Sequence, residues 1–290
     1  MNIGDPIFIG GMQKSGTSLL RAMLGHHSRL FAGLETQWLN QRWNENDTLR
    51  REWLQRLSVF FDINIGELET VCADAGSEEI CLDRMMALFT ARAGKVRWIE
   101  KTPGNVSAIP RILSHWPRAC ILHILRDPRD VYASMLEIRK WTDPEAFADG
   151  WCTTVGAAED WLTSVGGWHP SYYRLRYERL VLEPDATLRD ILDFLEEPYE
   201  PNVATFDGVT GEFERVKQAT GKESPTLKRL EQPLIRSRVG VWKSVYEPER
   251  WSAVRAELNR RGYGVLVEAL LAETDRCLDR NRMIQGARCP

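Results

Sequence analysis

The 290-residue sequence lacks the patterns that most readily identify metal-binding, secreted and membrane proteins. Its six cysteines form no CxxC pair, and its five histidines supply no metal-ligand spacing beside them, so we expect free thiols and no zinc site. No apolar run reaches the length of about 18 residues that a membrane helix needs, and the N-terminus lacks the pattern of a signal peptide. We therefore expect a cytoplasmic protein with no membrane association.

Charge of one sign is not in excess either. Lys and Arg number 38 against 41 Asp and Glu, a formal net charge of −3, so no general positive field is available to hold nucleic acid. Any anion-binding site must therefore be local. Hydrophobic residues at 43% and charged residues at 27% are ordinary for a globular protein, and we expect residues 1–290 to form a single domain.

Strand, loop and helix patterns alternate along the chain. The apolar run from Pro6 to Ile9 predicts a buried strand that ends at a glycine pair, and a helix is predicted from about Thr17 to near Gly25. Asp127 and Pro128 favour the start of another helix. Further strands are predicted at residues 96–99, 119–125 and 173–177, and further helices at 105–114, 188–195 and 247–261. This order predicts an α/β protein in which helices flank a central parallel sheet, with ligands at the carboxyl ends of its strands.

Two stretches depart from this alternation. Residues 36–93 carry Trp, Leu and Met at three- and four-residue spacings and predict a helical insertion, interrupted near residues 74–77. Residues 207–243 carry many charges and little periodicity, and they are interpreted as a loop or lid that contributes to a cofactor site. The end of that stretch is strongly basic.

The glycine loop between the first strand and the first helix predicts an anion site. Residues 11–18 read Gly-Met-Gln-Lys-Ser-Gly-Thr-Ser, so backbone N–H groups and the positive end of a helix point to one spot. The glycine spacing is that of the P-loop, but Thr17 stands where the P-loop has lysine, and Lys14 lies inside the loop. A triphosphate needs the usual lysine and a held Mg²⁺. The sequence therefore predicts a three-layer P-loop-like fold, with a kinase or nucleotidase as the less favoured interpretation.

Two motifs resemble those of a known family. Residues 13–20 resemble the 5′-phosphosulfate loop of the sulfotransferases that use 3′-phosphoadenosine 5′-phosphosulfate (PAPS), and residues 126–134 resemble their 3′-phosphate motif. Within that superfamily, residues 14–36, 101–103 and 177–181 are most similar to the tyrosylprotein sulfotransferases. The resemblance extends to about residue 200. It implies transfer of a sulfuryl group from PAPS to a hydroxyl, with PAP as the second product and without a metal.

The resemblance also assigns donor-binding residues. Lys14, Ser15, Gly16, Thr17 and Ser18 are implied to bind the 5′-phosphosulfate. Arg126 and Ser134 are implied to hold the 3′-phosphate, and Tyr177 to lie near adenine. Two alignments compete for the late contacts, one using Ser237 and Lys243 and the other an RxG segment beginning at Arg238. Arg139 stands one residue further from Ser134 than in the family and is left unassigned.

Three residues are candidates for the chemistry. Glu35 aligns with the carboxylate that serves the tyrosylprotein enzymes as general base, while the histidine that cytosolic sulfotransferases carry after their Lys-Thr motif is absent beside Lys101. An alcohol or phenol is a poor nucleophile near neutral pH unless a placed carboxylate takes its proton. Lys101 and Lys14 are expected to stabilise the charge that grows on the departing phosphate. Trp38 and Trp43 are candidates to flank the acceptor.

Two questions stay open at the level of sequence. The acceptor could be a small-molecule, saccharide or tyrosine hydroxyl, because such enzymes share the donor site and differ in poorly patterned loops. Besides the ATP- and Mg²⁺-dependent kinase or nucleotidase, the second alternative is a non-catalytic nucleotide-binding protein of the same fold.

Overall fold

The central element of the protein is a parallel β-sheet. The computed structural model describes residues 4–40, 47–138, 140–245 and 247–286. Its strands are β1 (Ile7–Gly10), β2 (Leu30–Ala32), β3 (Arg97–Lys101), β4 (Cys120–Leu125) and β5 (Tyr172–Arg176). They form a five-stranded sheet in the order β2-β3-β1-β4-β5, flanked by helices. The predicted α/β class with a central parallel sheet is confirmed.

The chain divides into two compact units. The first comprises Met1–Gly10, Ser18–Ile121 and Glu200–Leu234, and the second comprises Gly11–Thr17, Leu122–Tyr199 and Ile235–Pro290. Subdivisions of one domain and separate domains both produce such a division. The single domain predicted for residues 1–290 therefore stays a prediction.

The first unit contains β1, β2 and β3. Its helices are α1 (Thr17–Gly25, whose first residue belongs to the second unit), α2 (Asp47–Phe61), α3 (Ile65–Cys72), α4 (Glu78–Arg92), α5 (Ile109–His115), α11 (Glu212–Thr220) and α12 (Pro225–Leu230). α1 has the predicted bounds, and the helices predicted within residues 36–93 are present in the described part of that stretch. The interruption predicted near residues 74–77 falls between α3 and α4.

The strand predicted at residues 96–99 is wrong at its end. β3 continues to Lys101 because it pairs in parallel with β1, with Ile9 opposite Lys101. Lys101 therefore lies at the carboxyl end of a buried strand rather than in a loop. A short 3-10 helix, Pro103–Ser107, follows and delays α5 until Ile109, so the helix predicted at 105–114 begins later than expected.

The segment predicted as a loop or lid contains helices. α11 and α12 occupy much of residues 207–243, followed by the short 3-10 helices Arg236–Arg238 and Val241–Ser244. α11 is short and has one buried side chain, Phe213, so only a short apolar pattern in the sequence indicates a helix there. Its stability comes from tertiary contacts, which sequence periodicity does not record.

The expectation of free thiols is wrong for two cysteines. Cys72 at the end of α3 forms a disulfide with Cys81 on α4, whereas Cys120, Cys152 and Cys277 are free; Cys289 lies outside the described residues. The disulfide therefore cross-links α3 to α4 across the short segment that joins them. No helix within the described residues combines the length and apolar character needed to span a bilayer. The cytoplasmic location stays a prediction, and disulfides are rare in the cytosol.

The second unit contains β4 and β5. Its helices are α6 (Pro128–Glu137), α7 (Pro144–Trp151), α8 (Ala157–Ser164), α9 (Tyr177–Leu182), α10 (Pro184–Phe194), α13 (Pro248–Arg260) and α14 (Gly264–Gly286). A short π-helix, Cys152–Gly156, joins α7 to α8. The predicted start of α6 is confirmed, since the Asp127 side chain accepts the Arg129 N–H. α14 was not predicted.

The core of the second unit collects side chains from α6, α7, α13 and α14. Met135, Phe147, Trp151, Val254 and Val267 are among its buried members. Burial of large apolar side chains such as these contributes about 1.5–3 kcal/mol each. The core thus fixes α6, on which part of the candidate site is built.

Candidate functional site

The glycine loop lies in the second unit and leads directly into α1. Gly16 has φ +99°, and a Cβ there would come within 2.4 Å of the Tyr177 ring, so the position requires glycine. Lys14 also has a left-handed backbone, with φ +70°, an uncommon conformation for a residue with a side chain. Ser15 and Thr17 are buried. The loop therefore has the tight, predetermined backbone expected of an anion cradle.

Arg126 is the central cation of the second unit. Its Nη1 donates to the Lys14 carbonyl at 2.7 Å, its Nη2 donates to the Arg238 carbonyl at 2.6 Å, and its guanidinium lies 4.3 Å from the centre of the Tyr177 ring. Arg126 is 5% exposed, and its Nε has no hydrogen-bond partner among the described residues. Asp130 lies 3.4 Å from Nη2. A buried guanidinium with a spare donor suits an oxyanion ligand.

Ser134 on α6 meets the late basic segment. Arg238 Nη2 donates to Ser134 Oγ at 3.1 Å and lies 3.2 Å from a Glu137 oxygen. Ser237 and Lys243 belong to the same segment, and both are exposed. Of the three late candidates, Arg238 is the one whose side chain contacts Ser134.

Asp130 explains why this segment lies against α6, and the sequence analysis missed it. Its carboxylate accepts the N–H groups of Gly240 and Trp242, each at 2.9 Å. Gly240 has φ +79°, so the chain turns sharply over the carboxylate. The sequence could have indicated a role for Asp130, because this residue lies within the motif that begins at Arg126.

Tyr177 was predicted at the end of a strand but begins α9. It is buried, and burial raises the pKa of its hydroxyl, so the ring is a neutral apolar surface under Arg126. The next residue, Glu178, accepts the Asp127 N–H at 2.8 Å, and burial raises the pKa of this carboxyl as well. Glu178 thus connects the start of α9 to the start of α6.

Glu35 and Lys101 meet in the first unit. Lys101 Nζ donates to Glu35 Oε2 at 2.6 Å, and Gln37 Nε2 donates to Glu35 Oε1 at 2.7 Å. The Glu35 side chain is 27% exposed, whereas that of Lys101 is 5% exposed. A partly exposed carboxylate beside a buried ammonium can accept a proton from a ligand while a cation remains near. Ser18 belongs to the same unit, on α1.

A second carboxylate lies beneath this pair. Glu100 is 2% exposed, and its oxygens accept the hydroxyls of Thr36 and Thr102 at 2.7 and 2.8 Å and the Asn105 amide at 2.6 Å. Burial raises the pKa of Glu100, and these hydrogen bonds act in the opposite direction. The sequence predicts an ion-pair or strand-end residue at Glu100 rather than a second base. The contact with Thr36 could not be predicted, since only the fold brings the two residues together.

Trp38, a candidate to flank the acceptor, takes no part in the described site. Trp38 is 1% exposed and donates its indole N–H to the Glu78 carbonyl at 2.9 Å, so the prediction that it flanks an acceptor is wrong. Trp43 and Arg139 lie outside the described residues. Within the described residues, no three His, Cys, Asp or Glu side chains are grouped as metal ligands, and the absence of a metal stays a prediction.

A glycine loop between a strand and a helix is typical of a P-loop-like α/β protein, and the buried arginine beside an aromatic ring suits a phosphorylated ligand. A family model described as "Sulfotransferase family" matches residues 6–201. The chain belongs to the sulfotransferase family.

Curated relatives agree with this assignment. The protein-tyrosine sulfotransferase A of Caenorhabditis elegans is 26% identical over 71% of this chain and 53% of its own length. The protein-tyrosine sulfotransferase of Drosophila melanogaster is 26% identical over 68% of this chain and 39% of its own length. An uncharacterized protein of Aquifex aeolicus is 25% identical over 82% of this chain and 30% of its own length. The chain thus spans about half, or less, of these relatives.

Solved structures agree in fold. The sulfotransferase domain from the curacin biosynthetic pathway matches with a TM-score of 0.62 and 20% identity, over 91% of this chain and 99% of that domain. The sulfotransferase domain from the Synechococcus PCC 7002 olefin synthase matches with a TM-score of 0.61 and 22% identity, over 90% and 96%. At these identities the likeness concerns the fold alone.

Proposed function

We propose that the chain transfers the sulfuryl group of PAPS to a hydroxyl acceptor and releases PAP. The observation that carries the proposal is the cluster in the second unit. There the glycine loop, Arg126, Tyr177, Ser134 and Arg238 are joined by hydrogen bonds and ring contacts. Cations, a hydroxyl and an aromatic ring together suit a nucleotide with separate phosphate groups.

Donor binding is divided among these residues by their chemistry. Residues 14–18 would receive the 5′-phosphosulfate on backbone N–H groups, with Lys14 adding charge. Arg126, Ser134 and Arg238 would hold the 3′-phosphate, and Tyr177 would border the adenine. Ser237 and Lys243 remain weaker candidates, because both are exposed. When bound, PAPS supplies a sulfuryl group attached to a phosphate oxygen.

Glu35 is the proposed general base. Its partly exposed carboxylate accepts the proton of the acceptor hydroxyl as the hydroxyl oxygen bonds to sulfur and the bond from sulfur to the bridging phosphate oxygen breaks. Lys101 and Lys14 stabilise the negative charge that develops on the departing phosphate. Lys101 Nζ donates to Glu35 Oε2 at 2.6 Å and so keeps the carboxylate oriented. Proton, sulfuryl group and charge are all accounted for without a metal.

The acceptor is proposed only as a hydroxyl compound. Three relatives named as protein-tyrosine sulfotransferases place tyrosine peptides first among the acceptors to test, although each aligns over part of its length. Saccharides, phenols and lipid alcohols complete the panel, since the acceptor region is not specified by the donor motifs.

The direct test follows sulfur-labelled PAPS into product with each acceptor of the panel. Glu35→Gln keeps the size of the side chain but cannot take the proton, so kcat is expected to fall about 10²- to 10⁴-fold while the affinity for PAP is retained. Glu69→Gln is the matched control, because Glu69 is an exposed carboxylate of the same unit, paired with Arg51.

Each outcome decides one part of the proposal. Transfer that survives Glu35→Gln removes the base assignment and keeps the transferase. PAP binding with no transfer to any acceptor identifies a non-catalytic binding protein. Preference for ATP with Mg²⁺ over PAPS overturns the donor.

A further inference from the structure

Glu100 is a buried carboxylate that the proposed reaction does not use. Its Oε1 accepts Thr36 Oγ1 at 2.7 Å, Thr102 Oγ1 at 2.8 Å and Thr36 N at 3.3 Å, and its Oε2 accepts Asn105 Nδ2 at 2.6 Å. With both oxygens engaged and 2% exposure, Glu100 has no route to a substrate. Burying a carboxyl group is costly unless hydrogen-bond donors compensate it, and here both oxygens have donors. The cost suggests that Glu100 does more than fill space in the core.

Two threonine hydroxyls connect Glu100 to the backbone beside Glu35. A backbone N–H can only donate, so each threonine hydroxyl that receives one accepts it on its oxygen and contacts Glu100 at the same time. Thr102 Oγ1 accepts from Gln37 N at 3.0 Å, and Thr36 Oγ1 accepts from Trp38 N at 3.2 Å. The two hydroxyls thus link Glu100 to the backbone at Gln37 and Trp38.

The segment held in this way turns sharply. Gln37 has a left-handed backbone with φ +53°, which costs a residue with a side chain on the order of 1 kcal/mol. The turn brings Gln37 Nε2 to Glu35 Oε1 at 2.7 Å. The residue before this turn is held as well, since the Trp53 indole donates to the Thr36 carbonyl at 2.6 Å. Side chains, rather than strand pairing, thus satisfy the backbone groups next to Glu35.

We infer that Glu100 is a positioning residue: through Thr36 and Thr102 it holds the left-handed turn at Gln37 and thereby fixes the carboxylate of Glu35 between Gln37 and Lys101. The inference rests on the proposed function, because it concerns the orientation of the proposed base. Orientation matters at this point, since a misplacement of about 1 Å in a reacting group can cost on the order of 10² in rate.

Thr102 is the residue through which to test this role. Thr102→Val keeps the shape and removes the hydroxyl, so Gln37 N loses its acceptor, and kcat is expected to fall about 10- to 100-fold with PAP affinity unchanged. Thr102→Ser restores the hydroxyl and is expected to restore kcat to within about threefold of wild type. A packing role would give the opposite order, because serine lacks the methyl group that valine keeps.

Thr90→Val is the matched control. Thr90 is a fully buried threonine on α4 in the same unit, and its hydroxyl donates to the Met86 carbonyl at 2.6 Å. Its substitution also removes one buried hydroxyl but does not touch the segment at Glu35. It is expected to leave kcat unchanged.

The decisive measurement is a double-mutant cycle with Glu35→Gln, using the best acceptor of the panel. If Thr102 acts through the base, Glu35→Gln/Thr102→Val has the kcat of Glu35→Gln alone. If the two losses multiply, or if the valine variant equals wild type, the positioning role is overturned while the transferase stands. If wild type binds PAP and transfers to no acceptor, the proposed function fails and the role fails with it.

Discussion

Arg126 shows how much one side chain contributes to the candidate donor site. It lies on the Tyr177 ring and binds two backbone carbonyls, one from the glycine loop and one from the late basic segment. Both carbonyls belong to residues that are themselves donor-site candidates, Lys14 and Arg238. A ligand phosphate at this arginine would compete with the two carbonyls for Nη1 and Nη2, whereas a bond to Nε would be an additional one.

Replacing Arg126 by lysine tests its proposed selectivity for the 3′-phosphate. Lysine keeps the charge but loses the planar guanidinium, so the affinity for PAP is expected to fall about 10- to 100-fold. The affinity for 5′-AMP, which lacks only the 3′-phosphate, is expected to change much less. Isothermal titration calorimetry with both nucleotides measures the difference.

Arg118→Lys is the control for this substitution, because Arg118 is an exposed arginine paired with Asp5. Equal loss of PAP and 5′-AMP in Arg126→Lys would mean that the residue supports the glycine loop rather than the 3′-phosphate.

At the level of elements, one ion pair of the first unit joins α11 to α1. Arg21 on α1 binds Glu212 at the start of α11 through two contacts of 2.5 Å and also donates to the Ala32 carbonyl at 3.1 Å. The two side chains are 3% and 13% exposed. Since α11 has one buried apolar residue, Phe213, this pair is a principal link between α11 and α1.

Breaking the pair from one side is expected to be costly. Arg21→Met removes the partner of the part-buried Glu212 carboxylate, and the free energy of unfolding is expected to drop by about 2–3 kcal/mol in urea denaturation. Arg21→Met/Glu212→Leu should recover most of the loss. Arg92→Met, which breaks an exposed pair with Glu67, should cost no more than about 1 kcal/mol. A loss in Arg21→Met no larger than in Arg92→Met would contradict the link.

The elements also mark the limit of prediction from sequence. β1, α1, β4 and the start of α6 were predicted almost to the residue, because each has an apolar run or a capping pair that acts locally. α11 was missed because its contacts are with distant residues, such as Arg21, nearly two hundred positions away. β3 was cut short because only its pairing with β1 shows where it ends. Local patterns cannot carry such information.

The candidate site divides in the same way. Lys14, Glu35, Lys101, Arg126 and Ser134 were singled out from short motifs. The buried partners that hold them escaped notice: Glu100 with its threonines, Asp130 under the late segment, and Glu178 behind Asp127. Partners of this kind are recognised by contact in space rather than by spacing along the chain.

At the scale of the whole molecule, acid stability is expected to depend on His123. The imidazole is fully buried on β4, its Nδ1 lies 2.5 Å from the Tyr172 hydroxyl, and burial lowers its pKa to about 3 from an ordinary value of 6.5. Between these two values the unfolded chain binds a proton that the folded chain does not. Stability from this group is therefore complete above pH 6.5 and is lost as the pH falls toward 3.

The expected slope is about 1.4 kcal/mol of unfolding free energy per pH unit within that window. His123→Leu/Tyr172→Phe removes the titrating group and its partner together and should flatten the slope by about this amount in denaturation between pH 4 and 6. His115→Leu, at an exposed histidine, should not. An unchanged slope in the double variant would show that other groups govern acid unfolding.

Because Cys72 and Cys81 form a disulfide, exposure of a preparation to a reducing agent changes the covalent structure of the protein. Material purified in dithiothreitol and material purified without it would be different covalent species, distinguishable by a mass difference of two hydrogen atoms. A host with an oxidising folding compartment favours the cross-linked species, whereas a reducing cytosol favours the dithiol. Intact-mass spectrometry of each batch therefore belongs before any kinetic or calorimetric comparison between variants.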